Sequence, residues 1–409
     1  MAQWPFRFVH ASDLHLEQPP GGVAEIPEAL RELFIEAPYA AAEQIVDTAL
    51  AEEVEFVVLS GDVLQAQQTG PRGPLFWAAQ CERLRERGIS VYWASGRVDS
   101  QERWPSSVAL PDNVYRFPAG ELAEFTPTRE GVPLARILGV SRARGKAIRI
   151  ADFRPDPGGL YSIAVIHGNA DAAVLKSRGM NYWALGGSHA RTTLFSEPGI
   201  AHYPGSPQGR LPVQAGPHGC TLVHVDQERR GKITFVPTDL LRWQNERILV
   251  DDQTSRKDLE SKLFDRMRAL RETMPGVDLM VHWTVAGSGK VVSQLRRGAL
   301  GRELLERLRA EFGKESPVAW SFAIEVEPGD ALPTEWYEQQ TMCGDFLREI
   351  RRYQMNPELA VAMEGYLVES QRELLGAAAT IVDEAERQRV LREAALLGAD
   401  LLSGEELEP

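Results

Sequence analysis

The stretch Glu55-Phe56-Val57-Val58-Leu59 most constrains the fold of this chain. It is a short apolar, β-branched run, the kind that forms a strand buried on both faces of a parallel sheet. It ends in Ser60-Gly61-Asp62. Upstream, Leu30, Leu33, Phe34, Ala41, Ile45, Ala49 and Leu50 recur at three and four, which predicts a helix over 27–53. Before that helix, an apolar run over 6–10 leads into Ser12-Asp13-Leu14-His15. The order is therefore strand, helix, strand. If 6–10 is a strand, positions i and i+2 point the same way at its exit. That aims a carboxylate, Asp13, and an imidazole, His15, at one point, as a divalent-metal site requires. A Gly-Asp pair after a strand is by itself a turn. Asp62, one β-α unit after Asp13, gains meaning because ligands in open α/β sheets collect at strand carboxyl ends.

The pattern continues. A helix over 74–88 closes at Gly88, and a strand over 89–94 ends in Ser95-Gly96-Arg97-Val98-Asp99. Short strands are expected at 113–117 and 135–140. The runs 161–166, 182–185, 192–195, 220–225 and 232–237 read as antiparallel-looking β. Between them lie His167-Gly168, Gly186-Gly187-Ser188-His189 and the block from Tyr203 to Arg210. Near Leu240 the rhythm changes. Strands at 248–250, 277–285 and 321–326 alternate with helices at 256–271 and 301–312, a small α+β module. Pro328-Gly329-Asp330 then breaks the chain, and helices are expected at 334–353, 358–375 and 378–402. Three domains follow: 1–240, 241–330 and 331–409. The last reads either as a helical hairpin on its own protein or as a hook for a partner.

Charge enters where partners are concerned. The net charge is −13. Sixteen Asp/Glu against seven Lys/Arg lie from Ala331 onward, a net of −9, so the first 330 residues carry only −4. Bulk charge does not mark a nucleic-acid binder, but a local basic face on the front part is compatible with these totals. No apolar run of membrane-spanning length occurs, and Met1-Ala2-Gln3-Trp4-Pro5 lacks the features of a signal peptide. The three cysteines, Cys81, Cys220 and Cys343, are far apart and read as reduced thiols, which points to the cytoplasm. His10, inside the first strand, reads as a core residue, and His202, His218, His224 and His282 as ordinary histidines.

Taken together, Asp13-Leu14-His15, Gly61-Asp62, Gly96-Arg97-Val98-Asp99, His167-Gly168 and Gly186-Gly187-Ser188-His189 resemble, in order and spacing, the motifs of the calcineurin-like metallophosphoesterases. Within them the chain is similar to the SbcD-type DNA-repair exonucleases, most of all their YhaO-type branch, which the block Tyr203-Pro204-Gly205-Ser206-Pro207-Gln208-Gly209-Arg210 also resembles. The resemblance implies an α/β (α+β) four-layer sandwich, then the small α+β capping domain and the C-terminal helical segment. It implies that a first ion, Mn²⁺ or a similar divalent ion, is held by Asp13, His15, bridging Asp62 and His189. A second position would keep only Asp62 and His167, because the family's Asn is Arg97 here and its first Gly-His-x-His histidine is Gly187. The family's catalytic histidine is Val98, which cannot donate a proton. Expected are one ion per chain, with Arg97 and His167 as the groups left to meet phosphate. The resemblance implies a weakly active or non-catalytic protein that binds DNA ends and scaffolds an SbcC-like or YhaN-like coiled-coil ATPase, as a homodimer. The alternative is an active Mn²⁺-dependent exonuclease or phosphodiesterase using one metal plus Arg97.

Overall fold

The computed structural model describes residues 5–23, 26–327, 332–361 and 383–402. The chain divides into two compact units. One comprises Met1–Gln244 with Gly276–Met280, the other Asn245–Pro275 with Val281–Pro409.

The first unit opens with β1 (Phe6–Ala11), α1 (Glu28–Ala51), β2 (Phe56–Leu59), the short α2 (Ala66–Thr69), α3 (Arg72–Glu86), β3 (Ser90–Trp93) and β4 (Val114–Arg116). It continues with β5 (Ala123–Phe125), a ribbon of β6 (Thr128–Arg129) and β7 (Val132–Pro133), β8 (Ala135–Gly139), β9 (Tyr161–His167), α4 (Ala172–Lys176), β10 (Tyr182–Gly186), β11 (Thr192–Phe195), β12 (Ile200–Tyr203), β13 (Gly219–Val225) and β14 (Gly231–Pro237). One six-stranded sheet has the order β14-β13-β1-β2-β3-β4, the other β11-β12-β10-β9-β8-β5.

Alternation along β1 explains the layering. Phe6 and Phe8 point between the sheets, packing with Phe56, Val58 and Tyr92 against Tyr161, Ile163, Val165, Tyr182 and Ala184 of the other sheet. Val9 and Ala11 point the other way, against Ile45, Val46 and Ala49 of α1 and Trp77, Cys81 and Leu84 of α3. The outer face of the second sheet, with Leu138, Ala164, Ile166 and Trp183, is covered by Leu175 of α4, Met180 and Phe153. The α/β sandwich expected from the motifs is the architecture found. Helix α3 ends as Gly88 suggested. Gly88 takes φ +68°, its N–H reaches Arg85 O at 2.9 Å, and that of Ile89 reaches Leu84 O at 3.0 Å, a Schellman end that a glycine makes cheap.

One expectation is corrected here. In the second half β8, β9, β10 and β12 run parallel, with Ile163 opposite Tyr182 and Ala201 opposite Trp183; β5–β8, β6–β7, β11–β12, β13–β14 and β1–β13 are antiparallel. The signal was present: β9 and β10 are buried at every position, as strands covered on both faces are. Their crossover is short, α4 having five residues, so it did not read as a β-α-β unit.

The second unit holds most of a three-stranded sheet, β15 (Leu241–Val250), β16 (Asp278–Gly287) and β17 (Ala319–Val326), in that order. Its helices are α5 (Arg256–Thr273), begun by a capping box of Ser255 and Asp258, α6 (Lys290–Arg296) and α7 (Ala299–Phe312). The helix expected over 334–353 is two, α8 (Thr334–Glu338) and α9 (Met342–Met355). Thr341 starts the second by accepting from Gly344 N at 3.2 Å. The helix Glu384–Leu402 packs on α9 through Ala395, Ala399, Leu347 and Phe346, and its Asp400 meets Ser293 of α6 at 3.0 Å. The break at 328–330 and most of the helix expected over 358–375 lie outside the described residues, as does the start of the one expected over 378–402. Among the described residues no helix is long and apolar enough to cross a membrane.

Candidate metal centre

Parallel pairing of β1 with β2, in which Ala11 faces Leu59, sets their exit turns side by side. The turns are laced together: Asp13 N donates to Gly61 O (2.9 Å), His15 N to Asp62 O (3.1 Å) and Leu16 N to Val63 O (3.2 Å). Asp13, His15 and Asp62 all adopt positive φ, at 55°, 44° and 54°. Such conformations cost free energy in non-glycine residues and gather at functional sites. They also correct the reason for convergence. Asp13 and His15 lie beyond the strand, which ends at Ala11, so the left-handed turn aims them together rather than strand alternation.

Each carboxylate is held by one oxygen and presents the other. Asp62 Oδ1 accepts the backbone N–H groups of Arg97 and of Val98 (3.0 Å), while Oδ2 lies 3.3 Å from His167 Nε2 and 3.8 Å from His15 Nε2. Asp13 Oδ2 accepts from Ser12 Oγ (2.6 Å) and Gly187 N (2.9 Å). Its Oδ1 is buried without a hydrogen-bond partner, as are both ring nitrogens of His15 and Nε2 of His167. Ligand atoms of Asp13, His15 and His189 lie within 4.8 Å of one another, and so do those of Asp13, Asp62 and His167. The structure therefore brings together Asp13, His15, Asp62, His167 and His189, with Asp13 common to both groups.

The histidine tautomer tests whether a cation fits. His167 Nδ1 lies 2.8 Å from Ser60 O. A carbonyl only accepts, so Nδ1 carries the proton and Nε2 is left as a lone pair. Two acceptors, Nε2 and Asp62 Oδ2, then face each other, and a proton or a metal ion must lie between them. Burial opposes protonation of His167, but Asp62, Asp13 and the Ser60 carbonyl outweigh it and raise its pKa. Burial likewise opposes ionisation of Asp62, yet His167, His15 and the Val98 N–H hold its carboxyl well below the usual range. Buried and orphaned oxygen and imidazole donors are the set that a divalent transition ion takes.

The three positions expected to depart from the family motifs behave unevenly. Arg97 is exposed. It reaches Asp62 through its backbone N–H, and among the described residues its guanidinium pairs with neither Asp62 nor Asp99. Asp99 is instead buried and satisfied by Trp93 Nε1 (2.7 Å), Gly96 N (2.6 Å) and Val63 N (3.2 Å). Gly187 has φ +94°, and a Cβ there would stand 3.1 Å from His167 Nε2. His10 is a core residue, bridging Tyr182 Oη (2.9 Å) and Ser60 Oγ (2.8 Å).

Two residues at the site were not singled out from the sequence. Glu17, whose side chain is fully buried, lies 3.5 Å from His15 Nδ1, a carboxylate–histidine contact of the kind that orients metal ligands. The 13/15/17 spacing was its only signal. Arg210, 8% exposed, places Nη2 3.0 Å from His189 Nε2 and donates to Gln18 Oε1. Burial lowers its pKa against the pull of Glu17, Asp13 and Asp62. Only the block ending in Arg210 marked it.

No family model matches the chain. It is 29% identical over 339 residues to the uncharacterized metallophosphoesterase YhaO of Bacillus subtilis (strain 168), covering 78% of this chain and 81% of that protein. Among solved structures it is similar to a dimetal phosphatase from Danio rerio, with 11% identity, 56% of this chain and 99% of that one covered, and a TM-score of 0.34. It is similar also to Vacuolar Protein Sorting 29 from Cryptosporidium parvum, with 15% identity, 58% and 100% covered, and a TM-score of 0.27.

Proposed function

We propose that this chain, a relative of the metallophosphoesterases, is a divalent-metal protein of the SbcD and YhaO type that binds phosphodiesters at DNA ends and hydrolyses them slowly or not at all. One observation carries this reading. Five ligand-type side chains converge, three of them, Asp13, His15 and His167, with orphaned buried atoms, while valine stands at position 98, where the family resemblance places the catalytic histidine. Asp13, His15, Asp62 and His189 would hold a single Mn²⁺-like ion, and His167 would stand beside it with its protonated Nδ1 turned away. The bound ion would supply Lewis acidity toward a phosphoryl oxygen. The chain itself fixes the carboxylates by backbone N–H groups and excludes water by burial. It offers no proton donor at Val98, a loss typically worth 10²–10⁴-fold. The acidic helices of the second unit would face a coiled-coil ATPase of the SbcC or YhaN type, and the chain would act as a dimer. Elemental analysis of the purified protein, beside Mn²⁺-dependent cleavage of linear DNA, tests the reading: one ion per chain and little cleavage are expected. Two ions with rapid cleavage would overturn it.

The second reading, an active one-metal phosphodiesterase, is favoured by Arg210 rather than Arg97. Its guanidinium is buried against His189, where it can meet charge developing on phosphate. Under that reading Arg210→Gln lowers kcat for cleavage with metal content unchanged.

A further inference from the structure

The loops after β3 and β8 enclose a cavity of about 1000 Å³. Its lining carries Arg97, Arg103, Arg142, Arg144 and Lys146 against one carboxylate, Glu102. The chain is acidic overall, and several arginines elsewhere in this unit are matched: Arg83 with Asp47, Arg129 with Glu55, Arg136 with Glu124. Among the described residues none of the five cavity cations has an ion-pair partner, Glu102 included. A cleft lined by one sign of charge repels itself and focuses the field on an incoming counter-ion.

The cavity also adjoins the metal centre. Gly96 forms part of its wall, and a side chain at Gly96 would collide with Asp62 and His167. Arg142, anchored by its N–H to Ser95 O at 2.9 Å, extends Nη1 to 3.9 Å from where a Cβ on Gly168 would stand, next to His167. Five cations over this volume exceed what one phosphate can neutralise.

We propose that this cavity is a binding site for a run of phosphates, holding those next to the phosphate presented to Asp62 and His167. The assignment rests on the phosphodiester reading above and gives it a substrate class: a chain of linked phosphates rather than a small monoester. Arg103, Arg144 and Lys146 are exposed, so their replacement leaves the core untouched.

The test is equilibrium binding in EDTA, without turnover, of a labelled single-stranded oligonucleotide and of inorganic tripolyphosphate as its competitor. The cavity variant R103Q/R144Q/K146Q is compared with R7Q/R31Q/R230Q, which removes the same charge elsewhere. The cavity variant should lose about tenfold or more in affinity, and its log–log salt slope should fall by about 2, three contacts at roughly 0.7 each. The control should bind as wild type does, and tripolyphosphate should displace the oligonucleotide. Tripolyphosphate bound more tightly than the oligonucleotide would assign the cavity to free polyphosphates; the reverse would assign it to nucleic acid. Equal losses in both variants, no displacement, or no binding by wild type would each overturn the proposal. Because metal is absent, a protein that binds phosphates yet takes up no ion would leave this inference standing and remove only the phosphoesterase reading.

Discussion

Asp62→Asn separates the metal-binding role proposed for Asp62 from its structural role. Asparagine tolerates the left-handed backbone that Asp62 adopts. Its side-chain oxygen can keep the N–H groups of Arg97 and Val98. Its amide then stands where Oδ2 faced His167 Nε2 at 3.3 Å, turning two opposed acceptors into a donor and an acceptor. The metal-free variant should therefore fall within about 1 kcal/mol of wild type, the worth of one exchanged hydrogen bond. The metal response should not survive. At a hundred times its Kd an ion stabilises the fold by about 2.7 kcal/mol, and after a hundredfold loss of affinity by only about 0.4 kcal/mol. At roughly 2–4 °C per kcal/mol for a unit of this size, Mn²⁺ should raise the melting temperature of wild type by about 5–11 °C. The variant should gain about 1–2 °C. Thermal melts with and without Mn²⁺ measure both quantities. An unchanged metal shift would show that Asp62 is no ligand. A collapse of the metal-free variant would show that its charge is structural.

The pair His10 and His202 predicts acid lability. Burial, then His202, holds His10 well below 6.5, and burial, then Arg191, brings His202 down to about 3. Depressed folded-state values mean that the unfolded chain binds more protons below pH 6.5, so stability is full above that value and is lost as pH falls toward 3. At pH 4.5 the cost from His202 is about 2.7 kcal/mol, at 1.36 kcal/mol per unit. Urea melts of wild type and His202→Gln should diverge by that much between pH 7 and 4.5; parallel curves would contradict it. Gly187→Ala should destabilise the protein by about 1–3 kcal/mol, since φ is +94° and the new methyl meets His167; chemical denaturation reads this directly. Val98→His alone should raise Mn²⁺-dependent phosphodiester cleavage by about 10² or more, and adding Gly187→His should reduce that gain by straining the loop.

Much of the first unit was legible because its signals are local. The run ending in Leu59 is buried at every position of β2, and Gly88 stops α3 where the chain must turn. What failed was non-local. Strand direction from β8 to β12 depends on which edges meet, and a five-residue helix is too short to announce a crossover. The split between α8 and α9 turns on Thr341 capping Gly344, which competes with an otherwise continuous helical pattern. At the site, the side chains that the fold brings together were named by the sequence, but Glu17 and Arg210 acquire meaning only through the partners that folding gives them, His15 and His189.

At Arg97, Val98 and Gly187 side chain and main chain play different parts. Judged by side chains, all three differ from the residues that the resemblance leads one to expect. Judged by main chain, all three still serve the cluster, because Arg97 and Val98 donate their N–H groups to Asp62 Oδ1 and Gly187 donates to Asp13 Oδ2. Those bonds fix one oxygen of each carboxylate and so decide where the other points. The backbone path is thus constrained by carboxylate orientation while the side chains on it are free to change. Gly187 is the exception, held to glycine by its left-handed φ. A site organised this way keeps its carboxylates aimed whatever side chains stand at 97 and 98, which is why metal content and turnover must be measured separately in this protein.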